Sequence, residues 1–240
     1  MDYCTVLCCS HLYSMMELAD SPTQKVLSIR KLKCKQNLLR NADGSARFSQ
    51  GDTSVIAAVY GPVQAIAKME KLEEATVEVI FRDTSGLQSC DHRKMEQFIK
   101  NNCKEIILTH AYPHTAISII IQIEIDAGSL LSCALNASIM ALMNAAVPLR
   151  YLIGCVSCAV LGEDIICDPT KDQETTSNSI TAVVLDNKSF DVIGISSQSG
   201  VIKIPMFRKI IQTARVSVEN IFDFYKVSVQ KNLEKLNNLQ

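Results

Sequence analysis

The run from Asp43 to Pro62, DGSARFSQGDTSVIAAVYGP, constrains the fold more than any other part of this chain. Asp43-Gly44 predicts a reversal, because glycine accepts positive φ without a Cβ clash. A short segment from Ser45 to Gln50 follows and ends at a second turn, Gly51-Asp52. Ser54 to Tyr60 is then an apolar run of β-formers, too short for a typical helix, and Gly61-Pro62 stops it. The pattern predicts a β-meander whose last strand is buried on both faces.

Either side of this run the chain alternates between strand and helix signals. From Val26 to Lys35 a strand is expected, with Lys31, Lys33 and Lys35 on one face. The opposite stripe of Leu32 and Cys34 is spoiled by Arg30. The lysine face has two readings. One is a solvated edge strand that discourages aggregation; the other is a phosphate-tracking patch extended by Arg40 and Arg47. Val63 to Ala75 reads as a loop or short surface helix, and Thr76 to Phe81 as a strand. A polar connection, Arg82 to Cys90, leads to Asp91 as a plausible helix cap. The helix it opens should run to about Thr109, with Met95, Phe98, Ile99, Cys103, Ile106 and Ile107 on one side. Arg93 and Lys94 then fall in the first turn, where the macrodipole disfavours cations. The two histidines that follow, His110 and His114, are separated by Pro113, which breaks any helix that would align them on a metal.

Ala116 to Ile125 is a long β-branched strand ending in the turn Asp126-Ala127-Gly128. The helix from Ser129 to Ala146 is apolar nearly all round, which predicts a central buried helix. It carries Asn136 and Asn144 and falls short of the ~20 clean residues a membrane span needs. Four strands follow, at Leu152–Leu161, Ile165–Cys167, Ile180–Asp186 and Phe190–Ser196, with a polar loop from Asp168 to Asn178 between the second and third. Pro205 opens a last helix whose apolar stripe, from Met206 through Tyr225 to Leu236, must pack on a sheet or a partner. The order predicts an α+β architecture of two β-sheets around central helices with a long C-terminal helix. Residues 23–240 are expected to form a single domain, preceded over residues 1–22 by a poorly ordered extension that lacks the basic start and apolar core of a signal peptide.

Charge and cysteine usage narrow the function. A formal net charge of −1 exerts no global pull on nucleic acid, so any RNA contact must come from a local patch. Cys133, Cys155, Cys158 and Cys167 lie inside apolar runs, where a free cysteine behaves as a small hydrophobe. Cys155 and Cys158 have a metal or redox spacing, but in a strand they point to opposite faces and no second pair completes a zinc site. A reducing compartment, with no metal and no cofactor, is the expectation.

The ordered runs DGSA, GDTSV and AVYGP resemble the opening sheet of the RNase PH family, the phosphorolytic exoribonucleases and their descendants in the RNA exosome ring. Gln36-Asn37-Leu38-Leu39 and Asp126-Ala127-Gly128-Ser129-Leu130-Leu131 point to the eukaryotic exosome core branch, and the likeness spans roughly residues 26–230. It implies the RNase PH-like fold. In active members an arginine at the head of the central helix grips phosphate; the matching position here is Leu130, beside Ser129. They also carry two aspartates in the loop after Asp168, the later one catalytic or metal-holding. The first matches Glu174, and the later falls on Ser179 or Ile180. Losing one placed transition-state donor costs roughly 10²–10³ in rate.

The resemblance therefore implies a catalytically silent exosome ring subunit that supports 3′-to-5′ RNA processing and decay. Its implied partners are other RNase PH-like ring subunits, S1- and KH-domain caps, hydrolytic exoribonucleases and RNA. The implied location is nucleus and nucleolus, also cytoplasm. Arg82, Arg93, Lys94 and Arg47 are the candidate RNA contacts, the first three flanking a connection that could line a pore entrance. The competing reading is a stand-alone or homodimeric nuclease, metal-dependent or residually phosphorolytic, using Asp168, Asp172 and Glu174.

Overall fold

A computed structural model describes residues 29–66, 70–83, 89–162, 164–198, 200 and 202–237; the expected extension over 1–22 lies outside them, as do residues 84–88 of the polar connection. The meander forms the centre of a five-stranded sheet of β1 (Leu32–Gln36), β2 (Gly44–Gln50), β3 (Thr53–Gln64), β4 (Thr76–Arg82) and β5 (Thr115–Ile125), in the order β1-β2-β3-β5-β4. All neighbours are antiparallel except β4 and β5, which run parallel. A parallel pair needs a crossover, and α1 (Cys90–Ile106) supplies it.

Several local expectations are corrected. Gly51, at φ +61°, makes the β2–β3 turn as anticipated. Gly44 serves a different purpose, since its φ is not positive: a Cβ there would come within 2.4 Å of the Ala141 carbonyl and the Ala145 nitrogen, so glycine is what lets the central helix approach β2. β3 does not stop at Gly61-Pro62. It continues to Gln64 across a register shift, because proline has no N–H to give to the ladder. α1 is capped by Ser89 rather than Asp91, with the Ser89 Oγ accepting from the Asp91 N–H at 3.4 Å, and it ends at Ile106, not Thr109. Ile107 leaves in extended conformation to bridge Leu149.

The second sheet holds β6 (Ile153–Leu161), β7 (Asp164–Cys167), β8 (Ser179–Asp186) and β9 (Val192–Ser197), antiparallel throughout in the order β7-β6-β8-β9. Between the sheets runs α2 (Leu130–Asn144), on which every residue from Leu130 to Leu142 is buried. It packs on β2 and β3 on one side and on β6 on the other. Asn136 fixes that second contact: its side chain bonds both the N–H and the carbonyl of Cys155, at 2.9 and 3.0 Å, and accepts from the Tyr225 hydroxyl at 2.9 Å. Tyr225 comes from α4 (Ile204–Asn237), which lies along β6, β7 and β8 and reaches β1. Its Ile210, Ala214, Val218, Ile221 and Phe222 are buried as the stripe predicts, whereas Leu233 near the far end is exposed. The two-sheet α+β architecture with central helices and a long C-terminal helix is thus observed. The Asp168–Asn178 segment, read as loop, contains a short helix, α3 (Lys171–Thr176), capped by Thr170 and Gln173.

Candidate functional site at the head of the central helix

The turn Asp126-Ala127-Gly128-Ser129 carries β5 into α2, and three other segments pin it. Gly128 sits at φ +101° against the Pro169–Lys171 backbone, where a Cβ would come within 2.6 Å of three backbone atoms. Ser129 is left-handed at φ +55° and donates its hydroxyl to the Pro169 carbonyl at 3.0 Å. Thr53 donates to the Gly128 carbonyl at 2.6 Å. Arg30 completes the hold, donating from its guanidinium to the Ala127 and Gly128 carbonyls at 3.3 and 3.2 Å.

The same Arg30 pairs in bidentate fashion with Asp168, at 2.6 and 2.9 Å, and its backbone N–H bonds that carboxylate at 3.0 Å. The Asp168 side chain is fully buried. Burial works against the Arg30 cation, but the hydrogen bond and charge of Asp168 more than offset it, and the pKa is raised. This explains the spoiled stripe of β1: Arg30 points inward with Leu32 and Cys34 because its partner is inside. The mismatch was the only sequence signal for this residue.

Helix heads present free N–H groups and attract anions. Here the anion is internal: Glu174 accepts from the Ser129 N–H at 2.7 Å. Burial raises the Glu174 pKa, with the Ser129 N–H and Lys171 pulling it back only in part. Lys171 is itself committed to Asp126.

A cleft of about 480 Å³ opens beside this turn, bounded by the heads of α1 and α2, by α3 and by β8 and β9. Leu130 lines it at the arginine position. Of the two alternatives for the later acid, Ile180 faces the cleft; Ser179 is buried and does not line it, because neighbouring strand residues point to opposite faces. The titratable side chains of the lining are Lys94, Lys171 and His92 beside Asp91, Asp126 and Glu174. Lys94 bonds Asp91 at 2.9 Å, which raises the lysine and lowers the aspartate pKa. Both lysines of the lining are already paired with carboxylates, so neither stands free for an incoming phosphate.

The candidate RNA residues are not brought together. Lys94 lines the cleft, Arg93 is exposed on α1, and Arg82 is exposed at the end of β4. Arg47 lies on the outward face of the five-stranded sheet, bound to Glu124 at 2.6 Å. Asp168, Asp172 and Glu174 do not converge either. The first is neutralised by Arg30, the second is exposed on α3, and the third caps α2. Among the described residues no cluster of three or more His, Cys, Asp or Glu side chains is placed to hold a metal ion.

Fold and cleft together define the class: an RNase PH-like scaffold in which Leu130 and Ile180 line the cleft at the head of the central helix. The comparisons agree, and the chain belongs to the 3′ exoribonuclease family, whose domain 1 matches residues 28–148 and domain 2 residues 151–215. It is 31% identical to the Arabidopsis thaliana protein named exosome complex exonuclease RRP46 homolog, over 86% of this chain and 94% of the relative. The crystal structure of rice (Oryza sativa) Rrp46 superposes with a TM-score of 0.80 at 33% identity, covering 85% of this chain and 96% of the rice chain. An Archaeoglobus fulgidus exosome chain, from a structure with RNA bound to its active site, gives 0.74 at 17% identity and shares the fold, covering 83% of this chain and 90% of its own. The chain is closely related to the RRP46 proteins.

Proposed function

We propose that this chain is a non-catalytic ring subunit of an RNA exosome, supporting 3′-to-5′ RNA processing and decay through assembly and threading. One observation carries the reading. Leu130 and Ile180 line the cleft at the two positions where the resemblance implies a phosphate-gripping cation and an acid, while Glu174 keeps the carboxylate implied at a third. An intact fold with a disabled pocket is what selection for assembly alone leaves behind. The names of the relatives support the exosome setting. On this reading the partners are other RNase PH-like subunits, S1- and KH-domain caps and associated hydrolytic exoribonucleases, with RNA passing through. Action in the nucleus and nucleolus, with a cytoplasmic share, belongs to the same proposal. The seven free cysteines among the described residues support a reducing compartment.

The test has two arms. Tagged chain purified from its own cells should bring down other RNase PH-like subunits in a stoichiometric complex; recovery as a monomer or homodimer alone overturns the ring reading. Pure chain given inorganic phosphate and single-stranded RNA should release no nucleoside diphosphates, and Leu130→Arg should not revive release, because Ile180 still replaces the acid. The word exonuclease in the Arabidopsis relative's name favours one second reading, a nuclease using Asp168, Asp172 and Glu174. It requires Mg²⁺- or Mn²⁺-dependent cleavage that disappears in Asp172→Asn with Glu174→Gln.

A further inference from the structure

The outward face of the five-stranded sheet carries charge that the cleft does not use. Strand alternation sends Leu32, Cys34 and Gln36 of β1 inward, Gln36 meeting Asn232 of α4 at 2.7 Å. Lys33 and Lys35 therefore point outward, with Lys31 before them, and all three are exposed. Register places Lys33 opposite Ser49 and Lys35 opposite Arg47. The row of Lys35 and Arg47 continues through Ile56 and Gln122 to Arg82 at the far edge. Glu124 is taken up by Arg47 and by the Ser54 hydroxyl, at 2.6 Å each. Asp52 lies in the β2–β3 turn, where Gly51 bonds the Lys31 carbonyl, yet among the described residues Lys31, Lys33 and Lys35 form no ion pair.

We infer that this face holds the sugar-phosphate backbone of single-stranded RNA, with Lys33 and Lys35 as the principal contacts and Arg82 at the other end of the track. The inference rests on the exosome reading for the identity of the polyanion. Chemistry favours RNA over a protein partner. The solvent-facing side chains of β1 and β2 are Lys33, Lys35, Arg47 and Ser49, three cations and a hydroxyl suited to phosphate, and the apolar side chains of this face, Ile56, Ile80 and Ile120, are only partly exposed on the inner strands. Alternate residues of a strand repeat at about 6.7 Å, a spacing that an extended backbone can follow phosphate by phosphate. In a chain of net charge −1, exposed lysines without an ion pair on one sheet face are a local footprint for a polyanion. Contact to phosphate alone also suits a channel that must pass every sequence.

The experiment measures binding of a fluorescein-labelled 20-residue oligouridylate to the purified full chain by anisotropy, over a salt series from roughly 50 to 200 mM. Lys33→Glu with Lys35→Glu should weaken binding on the order of tenfold and flatten the log–log salt slope by about 1.4, two single-strand phosphate contacts at about 0.7 each. Lys33→Gln with Lys35→Gln should show a smaller loss, with circular dichroism confirming an unchanged fold in both. Arg208→Glu with Lys209→Glu, exposed on α4, serves as charge-matched control and should leave the slope near that of the parent. An unchanged affinity and slope in the β1 variants overturns the inference, as does an equal loss in the control. So does loss of ring co-purification with RNA binding intact, which would make the face a protein contact. The exosome reading fails separately, if the parent chain brings down no ring subunits.

Discussion

Arg30 is the side chain whose loss should be felt furthest, because it neutralises a buried carboxylate and holds two turn carbonyls at once. Arg30→Ala should cost about 3 kcal/mol, since removing one partner strands the Asp168 charge in the interior. Arg30→Met combined with Asp168→Leu should recover a large part of that loss, because both charges then go together. Urea midpoints decide it; a single-variant cost under about 0.5 kcal/mol, the range of an ordinary surface change, would mean the pair anchors nothing. Glu174 sets a pH dependence of known sign. Its pKa is raised above the ordinary 4.5, so the folded chain holds this proton more tightly than the unfolded chain does. Stability from this group is therefore greatest at acid pH and declines as pH rises from the ordinary glutamate range through the folded pKa. Glu174→Gln removes the decline, so the variant should gain on its parent between about pH 4 and about pH 7, by thermal melts at each pH. A difference that stays flat or runs the other way would show that the Ser129 N–H outweighs burial.

At the scale of elements, α2 is what the two sheets share, and Asn136 is its only side-chain hydrogen bond to β6 among the described residues. Tyr225→Phe removes one of three bonds to Asn136 and should cost about 1 kcal/mol. Asn136→Leu should cost more, roughly 2–4 kcal/mol, because it leaves the Cys155 N–H and carbonyl and the Tyr225 hydroxyl unpaired in the interior. Chemical denaturation of the two variants side by side checks the order; equal costs would remove Asn136 from the α2–β6 tie. The same helix is fixed at its head by a side chain: the Ser129 N–H donates to the Glu174 carboxylate, delivered by α3.

For the whole molecule, the matched domains divide at residues 149–150, but the core does not. One continuous cluster of buried side chains runs from Ala46 and Phe48 on the first sheet through α2 to Val183 and Leu185 on the second and Tyr225 on α4. Neither half can bury α2 alone, so we propose that both halves unfold together. Far-ultraviolet dichroism and tyrosine fluorescence, the chain having no tryptophan, should give coincident transitions in urea. Two separated transitions would make the halves independent units.

The sequence by itself determined the parts that repeat locally. β5 was legible as a β-branched run, α2 as a helix apolar on every side, and α4 as a stripe at three- and four-residue steps, because burial imposes those periods on neighbouring residues. Leu130 was legible too, since a missing cation at a motif position needs no structure to be noticed. Only the tertiary structure decided what fills the site. Arg30 and Asp168 are 138 residues apart, and Ser129 and Glu174 are 45 apart. The choice of Ile180 over Ser179 depends on which face of β8 meets the cleft. Gly44 reads as a turn glycine until α2 is laid against it. Each of these depends on two segments meeting in space, and a contact between distant segments leaves no period in either of them.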